Sequence, residues 1–191
     1  MNPVTHFLTG WVIANADDLE RKDRTIVTLA AIIPDVDGLG ILTSLASKNQ
    51  EAGLHLYGQY HHVIAHNLFS ALLITAVACA LSKKKWLTAL LAFFSFHLHL
   101  LGDLFSGRGP DGIIWSISYL YPVYPDFIVS WSGQWELNAW PNVAITALLL
   151  LLTFYLAWKR GYSPVGIVSS NADQIFVGTL RKRFGHPTSK C

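Results

Sequence analysis

Charge is scarce in this 191-residue chain: 14% of residues are Asp, Glu, Lys or Arg, where a soluble domain carries about a quarter. Cysteine is scarcer still, with Cys79 inside an apolar run and Cys191 at the end. That excludes a disulfide framework and a CxxC metal site. A net charge of +2 is too small to draw the chain to nucleic acid, so none is expected as a partner. No cleavable signal peptide is expected: Val4 to Ala14 has no basic stretch before it and holds a histidine. What is plentiful is apolar sequence, 52% of the chain, concentrated in runs. Such runs point to a bilayer; the alternative is a soluble helical enzyme with buried helices.

The runs delimit helical segments at 3–16, 25–46, 62–82, 86–105 and 142–158. The second is interrupted by Pro34, Asp35, Asp37, Gly38 and Gly40, and the third stops at Lys83-Lys84-Lys85. The fifth is the purest, flanked by Trp140 and by Trp158-Lys159-Arg160, the aromatic and basic ends that anchor at membrane interfaces. Residues 106–141, rich in Gly, Pro, Trp and Tyr, form a connector long enough to act as a lid or binding surface. The expected fold is all-α: a membrane-embedded bundle of about five helices with a long irregular loop before the last. Residues 1–160 make one helical domain, and 161–191 a basic tail with a short helix near 171–184.

Charge placement tests that bundle. If the segments alternate across a membrane, Arg21, Lys22, Arg24, Lys83, Lys84, Lys85, Lys159, Arg160 and the tail share one side. Lys48 and Arg108 fall on the other. The positive-inside rule makes the first side cytoplasmic, giving a multi-pass protein with a cytoplasmic C-terminus.

The ionisable residues inside these oily segments are almost all His and Asp: His6, Asp35, Asp37, His61 at an edge, His62, His66, His97, His99 and Asp103. Such groups are costly in a bilayer and are retained where they pair or function. This residue set suits a divalent cation, with Zn²⁺ expected and one or two ions. His99 and Asp103, four apart, project from one helix face, and His62 and His66 have the same spacing. His61 and His66 share a face only if His61 precedes the helix. Asp35 and Asp37 flank a Pro/Gly break, where the backbone can turn both carboxylates inward. In the alternating topology all of these fall at the outer end of the bundle. His97 points elsewhere and reads as a core residue.

Thr5-His6, Pro34 to Asp37, His61 to His66 and His99 to Asp103, with the Gly-rich Gly107 to Gly112 and then Trp115 and Pro122, together resemble the YdjM family of inner-membrane, metal-dependent hydrolases. The resemblance covers roughly residues 3–142. That family is distantly similar to the helical zinc phospholipase C group. The resemblance implies metal roles for His6, Asp35 or Asp37, His61, His66, His99 and Asp103, with Asp103 as a bridge between two ions. Family members usually carry Arg after the first His of the third motif and Thr-His at its end; here those places hold His62 and Ala65. Binding of an anionic substrate would then fall to Arg108 or His62.

The chemistry expected is metal-assisted hydrolysis of a phosphoester or lipid-like small molecule at the outer face, with membrane lipid as the surroundings. Asp37 and Asp103 are the catalytic candidates, Asp37 as the carboxylate that orients water or takes its proton. The rival is a non-catalytic membrane protein with a structural metal site or a metal- or proton-conducting path. A conducting path needs polar residues along both halves of the bundle, and the cytoplasmic half reads as apolar.

Overall fold

The computed structural model describes residues 1–41, 61–109 and 112–187. Helix α1 (Pro3–Ala14) starts where Asn2 accepts from the Thr5 amide at 2.9 Å, with Pro3 in the first turn. Helix α2 (Arg21–Ala30) gives way to a 3₁₀ stretch, Ile33–Ile41. Helix α3 (Leu68–Leu81), α4 (Lys85–Ser106) and α5 (Trp140–Arg160) follow. A 3₁₀ turn, Pro164–Ile167, leads into α6 (Ser170–Phe184), near the expected position. Among the described residues there is no strand, only isolated bridges within the connector.

Two segment expectations need correction. The second run is not one helix: α2 begins at Arg21, ahead of the run's expected start at residue 25, and the chain tightens to 3₁₀ at Pro34, which has no amide hydrogen to continue the ladder. Residues 42–46 of that run, and Lys48, lie outside the described residues. The third run becomes helical only at Leu68, because Asn67 caps it there by accepting from the Ser70 amide at 2.9 Å. His61, His62 and His66 therefore occupy a turn segment, not a helix face, with His62 at a φ of 69°. The helical spacing of His62 and His66 does not apply.

Helix α4 runs through the middle of the bundle, with α3 on one side, α1 and α2 on another, and α5 against α1. Small residues make these approaches close: Ala30, Ala78 and Ala92 meet where α2, α3 and α4 cross. A Cβ on Gly10 would lie 2.6 Å from the Ala31 Cβ, so glycine is needed where α1 crosses the end of α2.

The helices alternate in direction, which sorts their loops to two ends. At one end, Asp23 accepts the Lys83 and Lys84 amides and so caps α4 from outside, Lys83 Nζ pairs with Glu20 at 2.7 Å, and Arg160 donates to the Asn15 carbonyl at 2.9 Å. Lys84 beside Asp17 holds that exposed carboxyl below its ordinary pKa, and Glu20 raises that of Lys83. The basic residues at the start of α2, the triple lysine and the end of α5 thus gather together. Helices α4 and α5 are long and apolar enough to cross a membrane, and most of α5 is uncovered by protein.

Candidate metal centre

The opposite end collects the histidines. His99 and Asp103 leave α4 one turn apart, and the His99 Nε2 lies 2.9 Å from Asp103 Oδ2. His6 reaches across from α1, its Nε2 3.0 Å from Asp103 Oδ1. Gly102 permits that approach, since a Cβ there would sit 3.1 Å from the His6 ring. The Met1 amino group also lies against Asp103 Oδ1. The turn before α3 brings His66 Nε2 to 3.0 Å from His99 Nε2 and 3.5 Å from Asp103 Oδ2, and His62 Nε2 to 3.7 Å from that same oxygen. Asp35 Oδ1 approaches His99 Nε2 at 3.7 Å.

Hydrogen bonds behind the rings fix which nitrogen is basic. His99 Nδ1 is 2.7 Å from the Ala31 carbonyl, which can only accept, so Nδ1 carries the hydrogen and the neutral ring has its lone pair on Nε2. That carbonyl is available because of the switch in helix type. In a continuing α-helix the Asp35 amide would bond Ala31 O; in the 3₁₀ stretch it bonds Ile32 O at 3.2 Å. Asp37 does the same for two rings: it accepts from His61 Nδ1 and His66 Nδ1, each at 2.9 Å, and from the Ala65 amide at 3.0 Å. Carboxylate and carbonyl acceptors of this kind typically hold metal-binding histidines in one tautomer.

The result is a convergence of basic atoms. His66 Nε2, His99 Nε2 and Asp103 Oδ2 face one another at 2.9–3.5 Å, with an acceptor at Nδ1 behind each ring. Asp103 Oδ2 and Asp35 Oδ2 are buried and have no hydrogen-bond partner. Donor atoms around a tetrahedral Zn²⁺ are about 3.3 Å apart, given bonds near ~2.0 Å. The residues fit a divalent cation by spacing, by donor type and by their orphaned oxygens. Two groups of ligand atoms are close enough to share an ion each: His61, His62 and His66, and His6, Asp35, His99 and Asp103. Asp103 directs one oxygen towards His6 and the other towards His66 and His99.

A profile of the YdjM inner membrane protein family matches residues 1–170. The chain belongs to that family. No curated protein and no solved structure matches it. The YdjM match spans every ligand candidate and both long apolar helices, so this inner-membrane family assignment and the His/Asp cluster rest on the same part of the chain.

Other expected site residues lie differently in this YdjM protein. Arg108 donates to the Ser132 carbonyl at 3.0 Å within the connector, and the structure does not bring it to the cluster. His62 is buried with its ring against Trp115, centroids 5.3 Å apart. His97 is turned away, its Nδ1 donating to the Phe93 carbonyl and its Nε2 accepting from the Tyr119 hydroxyl. Sequence reasoning missed Gln134. Its buried amide bonds both the N–H and the C=O of Trp115 and so pins that ring beside His61 and His62. A polar amide in an otherwise aromatic loop was the available signal.

Beside the cluster opens a cleft of about 630 Å³. Pro3, Val4, Phe7, Ile32, Leu39 and Leu137 supply apolar walls, while Asp35, His61, His62 and Asp103 form its polar part.

Proposed function

We propose that this YdjM-family protein is a membrane-bound, metal-dependent hydrolase acting on a phosphoester of lipid-like character. The observation that carries the proposal is the convergence of His66 Nε2, His99 Nε2 and Asp103 Oδ2 within 3.5 Å, with an acceptor held at Nδ1 of both rings. Basic atoms so placed repel one another unless a cation joins them.

In this reading His6, Asp35, His61, His66, His99 and Asp103 hold one or two ions, Zn²⁺ by donor chemistry, with Asp103 shared between them. When bound, the cation polarises the scissile group and acidifies water beside it. Asp37 keeps the His61 and His66 lone pairs turned inward, and its part in the reaction is to position those rings. Asp103, at the centre, both binds and fixes the distance between the two ligand groups. His62, at the cleft wall and outside the proposed ligand set, is the imidazole left to serve an anionic group of the substrate. The apolar walls suit the chain of an amphiphile whose polar group rests on the cluster.

The topology proposed puts the cluster at the outer face of the inner membrane and the basic end, with the C-terminal tail, in the cytoplasm. A structural or conducting role for the metal is the competing class. The cleft favours catalysis, since it leaves the ligand cluster open on one side.

The test is metal analysis followed by activity. Purified protein is expected to carry roughly one to two transition-metal ions per chain. His99→Ala with Asp103→Ala is expected to abolish that content. Unchanged metal in the double variant removes the site. Metal-loaded protein inactive on every phosphoester in a screen, water-soluble and micellar, removes the hydrolase reading but not the metal.

A further inference from the structure

At the basic end of the bundle, Arg24 is 8% exposed, yet it has no carboxylate partner among the described residues. Its Nη1 donates to the Leu19 carbonyl at 2.6 Å, and its guanidinium stacks 3.5 Å from the Tyr162 ring centre. Asp18 and Asp173 act on it by charge through space, and neither pairs with it directly. Asp17 pairs with Lys84 and Glu20 with Lys83, Asp23 caps α4, and Asp173 accepts from the Ser163 amide and hydroxyl. A buried cation is ordinarily paired, because an isolated one is expensive.

Next to it lies a partly open cavity of about 130 Å³, several times the ~30 Å³ that one water occupies. Trp11, Arg21, Arg24, Tyr162, Ser170 and Asp173 are among its walls. Trp11 is 2% exposed and its indole N–H has no acceptor; the Tyr162 hydroxyl is buried beside Arg24 and has no acceptor either. The first turn of α6 opens on the same space through Ser170, adding the positive end of a 15-residue helix.

We infer that this cavity is an oxyanion site, built for a phosphate group on Arg24, the Trp11 N–H and the Tyr162 hydroxyl, between α1, α2 and the start of the tail helix. An anion there gives Arg24 a direct partner and two orphaned donors their acceptors at once, with Asp173 as the negative group it must face in the wall. It is separate from the His/Asp cluster, at the other end of α1. The headgroup of an anionic phospholipid and a phosphate free in solution present the same chemistry to this site.

The experiment uses the full chain in a zwitterionic detergent, stripped of metal with a chelator so that the His/Asp cluster contributes nothing. Binding of inorganic phosphate and of a short-chain phosphatidylglycerol is measured by calorimetry. Tyr162→Phe removes one oxygen and keeps the ring under Arg24; Trp11→Phe removes the indole donor. Each is expected to weaken binding about tenfold, the loss of one hydrogen bond to a charged group. Inorganic phosphate binding alone identifies a solute site; phosphatidylglycerol binding without phosphate binding identifies a headgroup site. Absence of both in the wild type, or wild-type affinity in folded Tyr162→Phe and Trp11→Phe, overturns the inference.

Discussion

Replacing Asp37 by Asn changes one atom and tests the proposed metal centre more sharply than removing a ligand. Asp37 accepts three hydrogens, from His61 Nδ1, His66 Nδ1 and the Ala65 amide. Asparagine has one acceptor oxygen and an NH₂ group. If that oxygen takes the place of Oδ2, it retains His66 and Ala65, and the NH₂ meets the hydrogen on His61 Nδ1. His61 then relieves the clash by exchanging tautomers, which puts a hydrogen on Nε2 and withdraws its lone pair from the cluster. Loss of such an orienting acceptor typically costs about 10–100-fold in metal affinity, or about 1.4–2.7 kcal/mol. Titration of purified Asp37→Asn against a chromophoric chelator reads this directly, with circular dichroism to show that the helices persist. Affinity within about twofold of wild type, well below that range, would refute the orienting role. Complete loss, as expected for Asp103→Ala, would make Asp37 a ligand itself.

Asn67→Ala removes the cap of α3 and the ties from its amide to the Val63 and Ile64 carbonyls. A loss of about 1 kcal/mol is expected from the cap alone, seen as a lower melting temperature in detergent, together with weaker metal binding as the histidine turn loosens. Asp17 has its folded pKa lowered by Lys84, so its contribution to stability is present above the ordinary carboxylate range and fades as pH falls through the folded value. Asp17→Asn should therefore narrow the stability difference between neutral and acidic pH; an unchanged pH profile counts against the pair. With Cys79 and Cys191 replaced, Lys84→Cys and Leu120→Cys should label from opposite sides of the membrane with an impermeant reagent. Labelling from the same side contradicts the alternating arrangement.

Much of the cluster was legible because residue type and spacing carry it. His and Asp in oily sequence announce a cost that must be offset, and His99 and Asp103 fall on one face by helical periodicity alone. The direction of the helices followed from charge, since Lys83–Lys85 and Arg160 mark the ends of the runs. What stayed hidden were contacts made by backbone. Nothing in the pattern says that Ala31 will present its carbonyl to His99, or that the Met1 amine will reach Asp103. The separate positions of Asp35 and Asp37 were equally illegible. Two carboxylates flanking one valine diverge according to the turn they sit on, and periodicity does not distinguish an α-turn from a 3₁₀ one. The helical reading of His62 and His66 failed because Asn67, as a cap, outweighed the apolar run that continues through it.

The bond from His99 to Ala31 makes the chemistry of one helix depend on where another stops winding. Substituting Pro34 with a helix former such as alanine would give α2 the means to add a turn, and the Asp35 amide would then compete for the carbonyl that now receives the imidazole hydrogen. A proline that touches no ligand would in that way govern the proton inventory of the cation's seat.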